Sequence, residues 1–333
     1  MKRALISLFV CFTLICGISA PCIPTYSKTE IPKQGTYSPI STSFNKEKLE
    51  DISNGSDDIM GSGKGFEPLF HNDTEDARWE SGGIDHTHQY LCARGIKLFL
   101  SDVGADYDDI IYPYVHVILN GADAPDIDEN EFLYVHHFYH YIFKKNYAFV
   151  GATAKDKFIQ HSQLALELFT HDKHEAFDHL GRAIHYLEDI NEPHHASNLT
   201  AVNSNHVKYE KWADKNRAKF KLSNATVYSD YRDINFSKAL NTLAERCAAN
   251  AYNMKDYATA KKCTPWGGYS IILDDYDKWG LSADSTMTYT QDAISAYLYI
   301  FFKEAKANSF IRLAQYDTSN CITTDFSKKE MEP

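Results

Sequence analysis

Positive charge is in short supply. The 333 residues carry 34 Lys and Arg against 45 Asp and Glu, a formal net charge of −11. That balance argues against a nucleic-acid backbone as a general electrostatic partner and against strong attraction to anionic membranes. It leaves open a zwitterionic lipid, or a nucleic acid held through metal ions. Strand-type alternation is nearly absent, which leaves an all-α domain. Beyond the N-terminal run, no segment is long and apolar enough to cross a bilayer. Cysteine is sparse, 7 in all, and none falls in the stretch with the densest set of metal-type donors.

The N-terminus reads as an address. Met1, Lys2 and Arg3 precede an apolar run to about Ile18 and a small-residue end at Ala20. This pattern predicts a secretory signal peptide over 1–20 and a secreted protein. Cys22, Cys92, Cys247, Cys263 and Cys321 then remain in an oxidising compartment. Cys247 and Cys263 are near enough in sequence to pair, and the connectivity stays open. Residues 21–78 are rich in Ser, Thr, Pro, Gly, Lys and Asp without a sustained apolar period, as in a largely disordered pro-segment. The domain proper is expected over 79–307, with a polar tail over 308–333.

Within the domain the apolar spacing is helical. Helices are predicted over 154–169, 173–189, 207–220, 237–257 and 288–307. The turn formers and carboxylates of 121–128 read as a loop. The 22 tyrosines and 19 phenylalanines are scattered, as helix-packing residues are.

The densest chemistry lies between His185 and Glu210. His185 with Asp189, and His206 with Glu210, stand at i,i+4, so each pair shares a helical face. His195 follows just past Pro193, where the helix should end and the chain fold back. These five N and O donors, without a thiol, suit Zn²⁺ in an open, catalytic site. A lone His or one such pair would more often be ordinary packing; two pairs and an intervening His point to metal.

The same stretch, His-Tyr-Leu-Glu-Asp189-Ile-Asn-Glu-Pro-His-His195 followed by His206-Val-Lys-Tyr-Glu210, resembles the bacterial zinc-dependent phospholipases C. That family includes the Bacillus phosphatidylcholine-preferring enzyme and clostridial alpha-toxin. Trp79 with Thr87-His88, Pro125-Asp126-Ile-Asp and His137-Phe-Tyr are similar to further motifs of the family. The resemblance implies an all-α single domain with a cleft for three zinc ions. It implies Asp126, His137, His185 and Asp189 on one zinc, and His195, His206 and Glu210 on a second. The third would take Trp79, through its amino group and carbonyl, with His88 and a shared Asp189. Asp126 would also be the general base, and Tyr134 a substrate-binding aromatic. Clustered zincs acidify a water and neutralise phosphoryl oxygens during in-line attack.

The implied function is hydrolysis of phosphatidylcholine-like phospholipids, at a membrane surface, by a secreted monomer with no nucleic-acid partner. The matching Trp79 lies inside the chain directly after Arg78, so an activating protease is implied as well. Three features depart from the family. Ile127 stands where the choline pocket has an aromatic, which weakens choline preference. His140 stands where relatives often carry Asp. The lipid-binding C-terminal domain of alpha-toxin has no counterpart. The alternative is a single-strand nuclease or nucleotidase of the same fold and metal plan. A non-catalytic protein with structural zinc is a further reading.

Overall fold

The computed structural model describes residues 42–55, 87–103, 105–129, 132–225, 228–263 and 270–320. The expected signal peptide, the Arg78-Trp79 junction, Cys22 and Cys321 lie outside the described residues. Nine α-helices and a two-stranded ribbon are present among them. The helices are α1 (Thr42–Ser53), α2 (Thr87–Val103), α3 (Asp108–Ile111), α4 (Val115–Asp128) and α5 (Ala154–Leu168), then α6 (Lys173–Ile190), α7 (His206–Asn216), α8 (Phe236–Ala258) and α9 (Tyr276–Asn320). The ribbon pairs β1 (Lys262–Cys263) antiparallel with β2 (Ser270–Ile271). The all-α expectation holds.

Several helices begin where the sequence supplies a cap. Thr153 accepts from Asp156 N, and Asp156 returns the bond to Thr153 N at 2.9 Å, closing a capping box on α5. Asp172 caps α6 through Glu175 N, and Asn235 caps α8 through Lys238 N. At its far end α6 stops at Asn191. The Asn191 amide donates to Thr286 O at 2.8 Å and Thr290 Oγ1 at 2.6 Å on α9. The turn that follows is therefore anchored to the core. Aromatic rings fill the space between helices, with Phe99 on Phe302, Tyr114 on Phe177 and Phe158 on Tyr297.

The structure corrects four expectations. Residues 121–128 are helical to Asp128, with Pro125 inside α4. Gly121 is a crossing residue: a Cβ there would stand 2.4 Å from Asp178 O, and one on Gly181 would stand 2.2 Å from Ile118 O. The two glycines let α4 and α6 touch backbone to backbone, and the burial gained there outweighs the turn preference of the local sequence. Second, residues 42–53, inside the segment read as disordered, form α1. Asn45, Leu49 and Ile52 are buried on one face, at helical spacing. Third, α9 begins at Tyr276, well before 288, and runs on to Asn320, past the expected domain end. Fourth, α7 ends at Asn216 and tightens into a 3-10 turn over Arg217–Lys219. Cys247 is a buried free thiol on α8.

Candidate metal centre

Four segments converge on one buried cluster. The C-terminal half of α6 brings His185 and Asp189, the last turn of α4 brings Asp126, and the start of α2 brings His88. The segment Phe132–His137 brings His137 after two residues in the left-handed region, Leu133 (φ 57°) and Tyr134 (φ 56°). Non-glycine residues rarely adopt that region, and they collect where surrounding structure holds a site in place. Tyr147 supports the turn by donating its hydroxyl to Leu133 O at 2.5 Å.

The ligand-type atoms form a cage. His137 Nδ1 lies 2.8 Å from Asp189 Oδ2 and 3.6 Å from Asp126 Oδ1. His185 Nε2 lies 3.2 Å from Asp189 Oδ2, 3.7 Å from Asp126 Oδ1 and 3.1 Å from His137 Nδ1. A tetrahedral zinc with bonds of about 2.0 Å separates its ligands by about 3.3 Å. The cage is of that size, and its imidazoles and carboxylates are zinc donors. His185 donates Nδ1–H to Ala122 O at 2.8 Å, which turns Nε2 toward the cage, where a metal would displace its proton. His88, His185 and Asp189 make a second group able to hold a metal.

A further group gathers Glu192, His195, His206 and Glu210, all buried. His206 Nε2 stands 2.8 Å from Glu210 Oε1 and 3.8 Å from Glu192 Oε2, and His195 Nε2 is 3.8 Å from Glu210 Oε1. His195 Nδ1 meets Asp189 Oδ1 at 2.9 Å, which links this group to the cage. Glu192 was not foreseen. It lies past the end of α6, so no helical spacing reveals it; its carboxylate folds back to accept from His195 N at 2.7 Å. Trp79 lies outside the described residues. The other sequence-predicted positions, His88, Asp126, His137, His185, Asp189, His195, His206 and Glu210, all come together here, and Tyr134 sits at the edge with its ring 5.7 Å from that of His137.

Burial and charge push the groups apart in acidity. Burial, with His185 nearby, lowers His88 to about 3. Burial alone would lower His185 too, but the Asp189 and Asp126 carboxylates outweigh it and raise it to about 9. Asp189 goes the other way: burial opposes its charge, yet His185, His137 and His195 hold it well below the usual carboxylate range. Burial next to His194 and His195 lowers His206 strongly. Burial and the adjacent Asp189, Asp123 and Asp126 raise Glu188 well above its usual value. Metal cations would reverse that direction by favouring the carboxylate.

His140 has a structural role. Its Nδ1 accepts from Ile142 N at 3.0 Å and from Phe143 N at 3.3 Å, closing the turn after His137. A carboxylate could accept the same bonds.

The model of the family described as zinc dependent phospholipase C matches residues 75–257. The chain belongs to the zinc-dependent phospholipase C family. A phospholipase C of Clostridium perfringens is 25% identical over 250 residues, covering 68% of this chain and 61% of that protein's length. One of Bacillus cereus is 30% identical over 170 residues, covering 48% of this chain and 58% of its own. Among solved structures, alpha toxin from Clostridium absonum superposes with a TM-score of 0.58 at 24% identity, over 69% of this chain and 66% of the toxin. That likeness shows the fold. The family match spans the helices that bring His88, Asp126, His185 and Glu210 together.

Proposed function

We propose that the protein is a secreted phospholipase C that uses three zinc ions to cut phosphatidylcholine-like lipids on the glycerol side of the phosphate. The observation that carries this reading is the buried cage of Asp126, His137, His185 and Asp189 at zinc-sized spacing. Asp126, His137, His185 and Asp189 would hold one zinc, and His195, His206 and Glu210, with Glu192 alongside, a second. His88 and Asp189 would hold the third together with the Trp79 amino group and carbonyl. Bound zinc supplies an acidified water and neutralises the phosphoryl oxygens.

The chain's own groups do the rest. Burial opposes the charge on Asp126, yet His185, His137 and His88 keep it below the usual carboxylate range. It is therefore ionised and can accept a proton from an attacking water. Tyr134 offers a half-buried ring at the edge of the centre. Exposed Ile127 and Leu133 flank Asp126 and Tyr134 in sequence and present apolar surface to a lipid. Charge fits the same substrate: a chain of net charge −11 favours a zwitterionic interface over an anionic one.

Cleavage after Arg78 would turn the Trp79 amide into an α-amine with a pKa of about 8, which can donate a lone pair to metal. An activating protease therefore belongs to this reading, as does a monomeric secreted product. The test is zinc removal and return. Stripping with a chelator should abolish hydrolysis of a chromogenic phosphodiester, and zinc should restore it. Full turnover by the metal-free protein would contradict the proposal.

A further inference from the structure

Glu188 has no place in the ligand sets above, yet it is as buried as any of them. It sits on α6 with no exposed surface, one residue before Asp189 and three after His185. A carboxylate in such a place is costly unless something meets it. Its Oε2 lies 2.5 Å from Nδ1 of His88, 100 residues earlier in the chain. Its Oε1 has no hydrogen-bond partner among the described residues. The opposite nitrogen of the same ring, His88 Nε2, faces the centre, 3.8 Å from Asp126 Oδ2. The ring is stacked on His185 at 4.1 Å.

A neutral imidazole carries one proton on two nitrogens. For Nε2 to offer its lone pair to a metal, the proton must sit on Nδ1, and an acceptor there fixes that tautomer. We propose that Glu188 is a positioning residue for the third metal: it accepts the Nδ1–H of His88 and holds Nε2 toward Asp126 and Asp189. This rests on the reading of His88 as a zinc ligand. The arrangement differs from that of His185, whose Nδ1–H goes to a neutral carbonyl, Ala122 O. A carboxylate acceptor makes a charge-assisted bond and raises the basicity of the ligand nitrogen. His88 is held at both edges, by Glu188 behind it and by the stacked His185 ring across its face.

The experiment is a competitive zinc titration of the protein cleaved after Arg78, against a chelator, with Glu188→Leu and Glu188→Gln treated in the same way beside it. Leu fills the volume and removes the acceptor; Gln keeps an oxygen that accepts Nδ1–H. Leu should weaken one zinc of the set by about 10- to 100-fold, leave the others in place, and shift the His88 ring-nitrogen NMR signals away from the Nδ1–H form. Gln should fall between Leu and the unmodified protein, and circular dichroism should show both variants folded. Unchanged zinc affinity and tautomer in folded Glu188→Leu would overturn the proposal. A Gln variant as weak as Leu would overturn it too, because it would make Glu188 a direct ligand. Absence of any zinc from the unmodified protein would instead remove the reading beneath it.

Discussion

Asp189 is reached by three imidazoles: His137 at 2.8 Å, His185 at 3.2 Å and His195 at 2.9 Å. By those distances it faces the cage, and it also stands in the group with His88 and His185, whereas His206 belongs to one group. Asp189→Ala should therefore lower the zinc content by two per chain and His206→Ala by one, as measured by atomic emission after dialysis. Equal losses would break the shared-ligand picture. Asp126→Asn should keep the fold and lower turnover by about 10²-fold or more, because an amide cannot take the water's proton. A variant keeping a tenth of the rate would rule out that role. Much of this centre was legible in the sequence because His185 with Asp189, and His206 with Glu210, share helical faces at fixed spacing. Asp126, His137 and His88 were legible through resemblance alone, since nothing local joins three distant segments. Glu192 and Glu188 were not legible: the first depends on the path of a turn, and the second on which residue of α2 faces it.

The crossing of α4 and α6 sets the distance between Asp126 and His185. A Cβ on Gly181 would meet Ile118 O at 2.2 Å and Gly121 Cα at 2.8 Å, both backbone atoms. Gly181→Ala should destabilise the fold by about 2 kcal/mol or more and weaken zinc binding as the helices part. Gly280, on α9, has nothing within 4 Å of its virtual Cβ. Gly280→Ala should stabilise the fold by about 0.5–1 kcal/mol. Urea unfolding of the two variants should thus move in opposite directions, and movement in the same direction would refute the crossing argument. Gly121 and Pro125 misled the sequence reading because turn formers and close helix crossings use the same residues. The capped helices α5 and α6 were read nearly to the residue, because capping residues and apolar spacing agree there.

A second element is pinned by charge. Glu245 on α8 holds Lys155 at 2.6 Å, and also Lys144, and accepts from the Tyr139 hydroxyl at 2.5 Å. Burial opposes its charge, but the two lysines and the tyrosine bring it down to about 2. The folded value lies below the unfolded one, so the contribution is present above pH of about 4.5 and is lost as pH falls toward 2. Glu245→Gln should cost about 1 kcal/mol at pH 7, and the difference from the unmodified protein should shrink through that acid window. A constant difference across it would show that charge is not the cause.

Taken whole, the chain is acidic, and no helix among the described residues is long and apolar enough to cross a membrane. The fold class was plain from the lack of strand alternation. The reach of α9 and the presence of α1 were not, because packing against other helices settles both: α1 on α2, and α9 on α2 and α8. If Trp79 completes the third site, trypsin treatment that exposes it should add one zinc per chain and raise turnover; unchanged zinc and turnover after verified cleavage would refute activation. The most direct measurement is head-group release by the processed, zinc-loaded protein, from phosphatidylcholine vesicles and, in parallel, nucleotide release from single-stranded DNA. A phospholipase C releases phosphorylcholine and leaves diacylglycerol, with DNA cut slowly or not at all. Rapid cutting of DNA with intact lipid would contradict the proposed function.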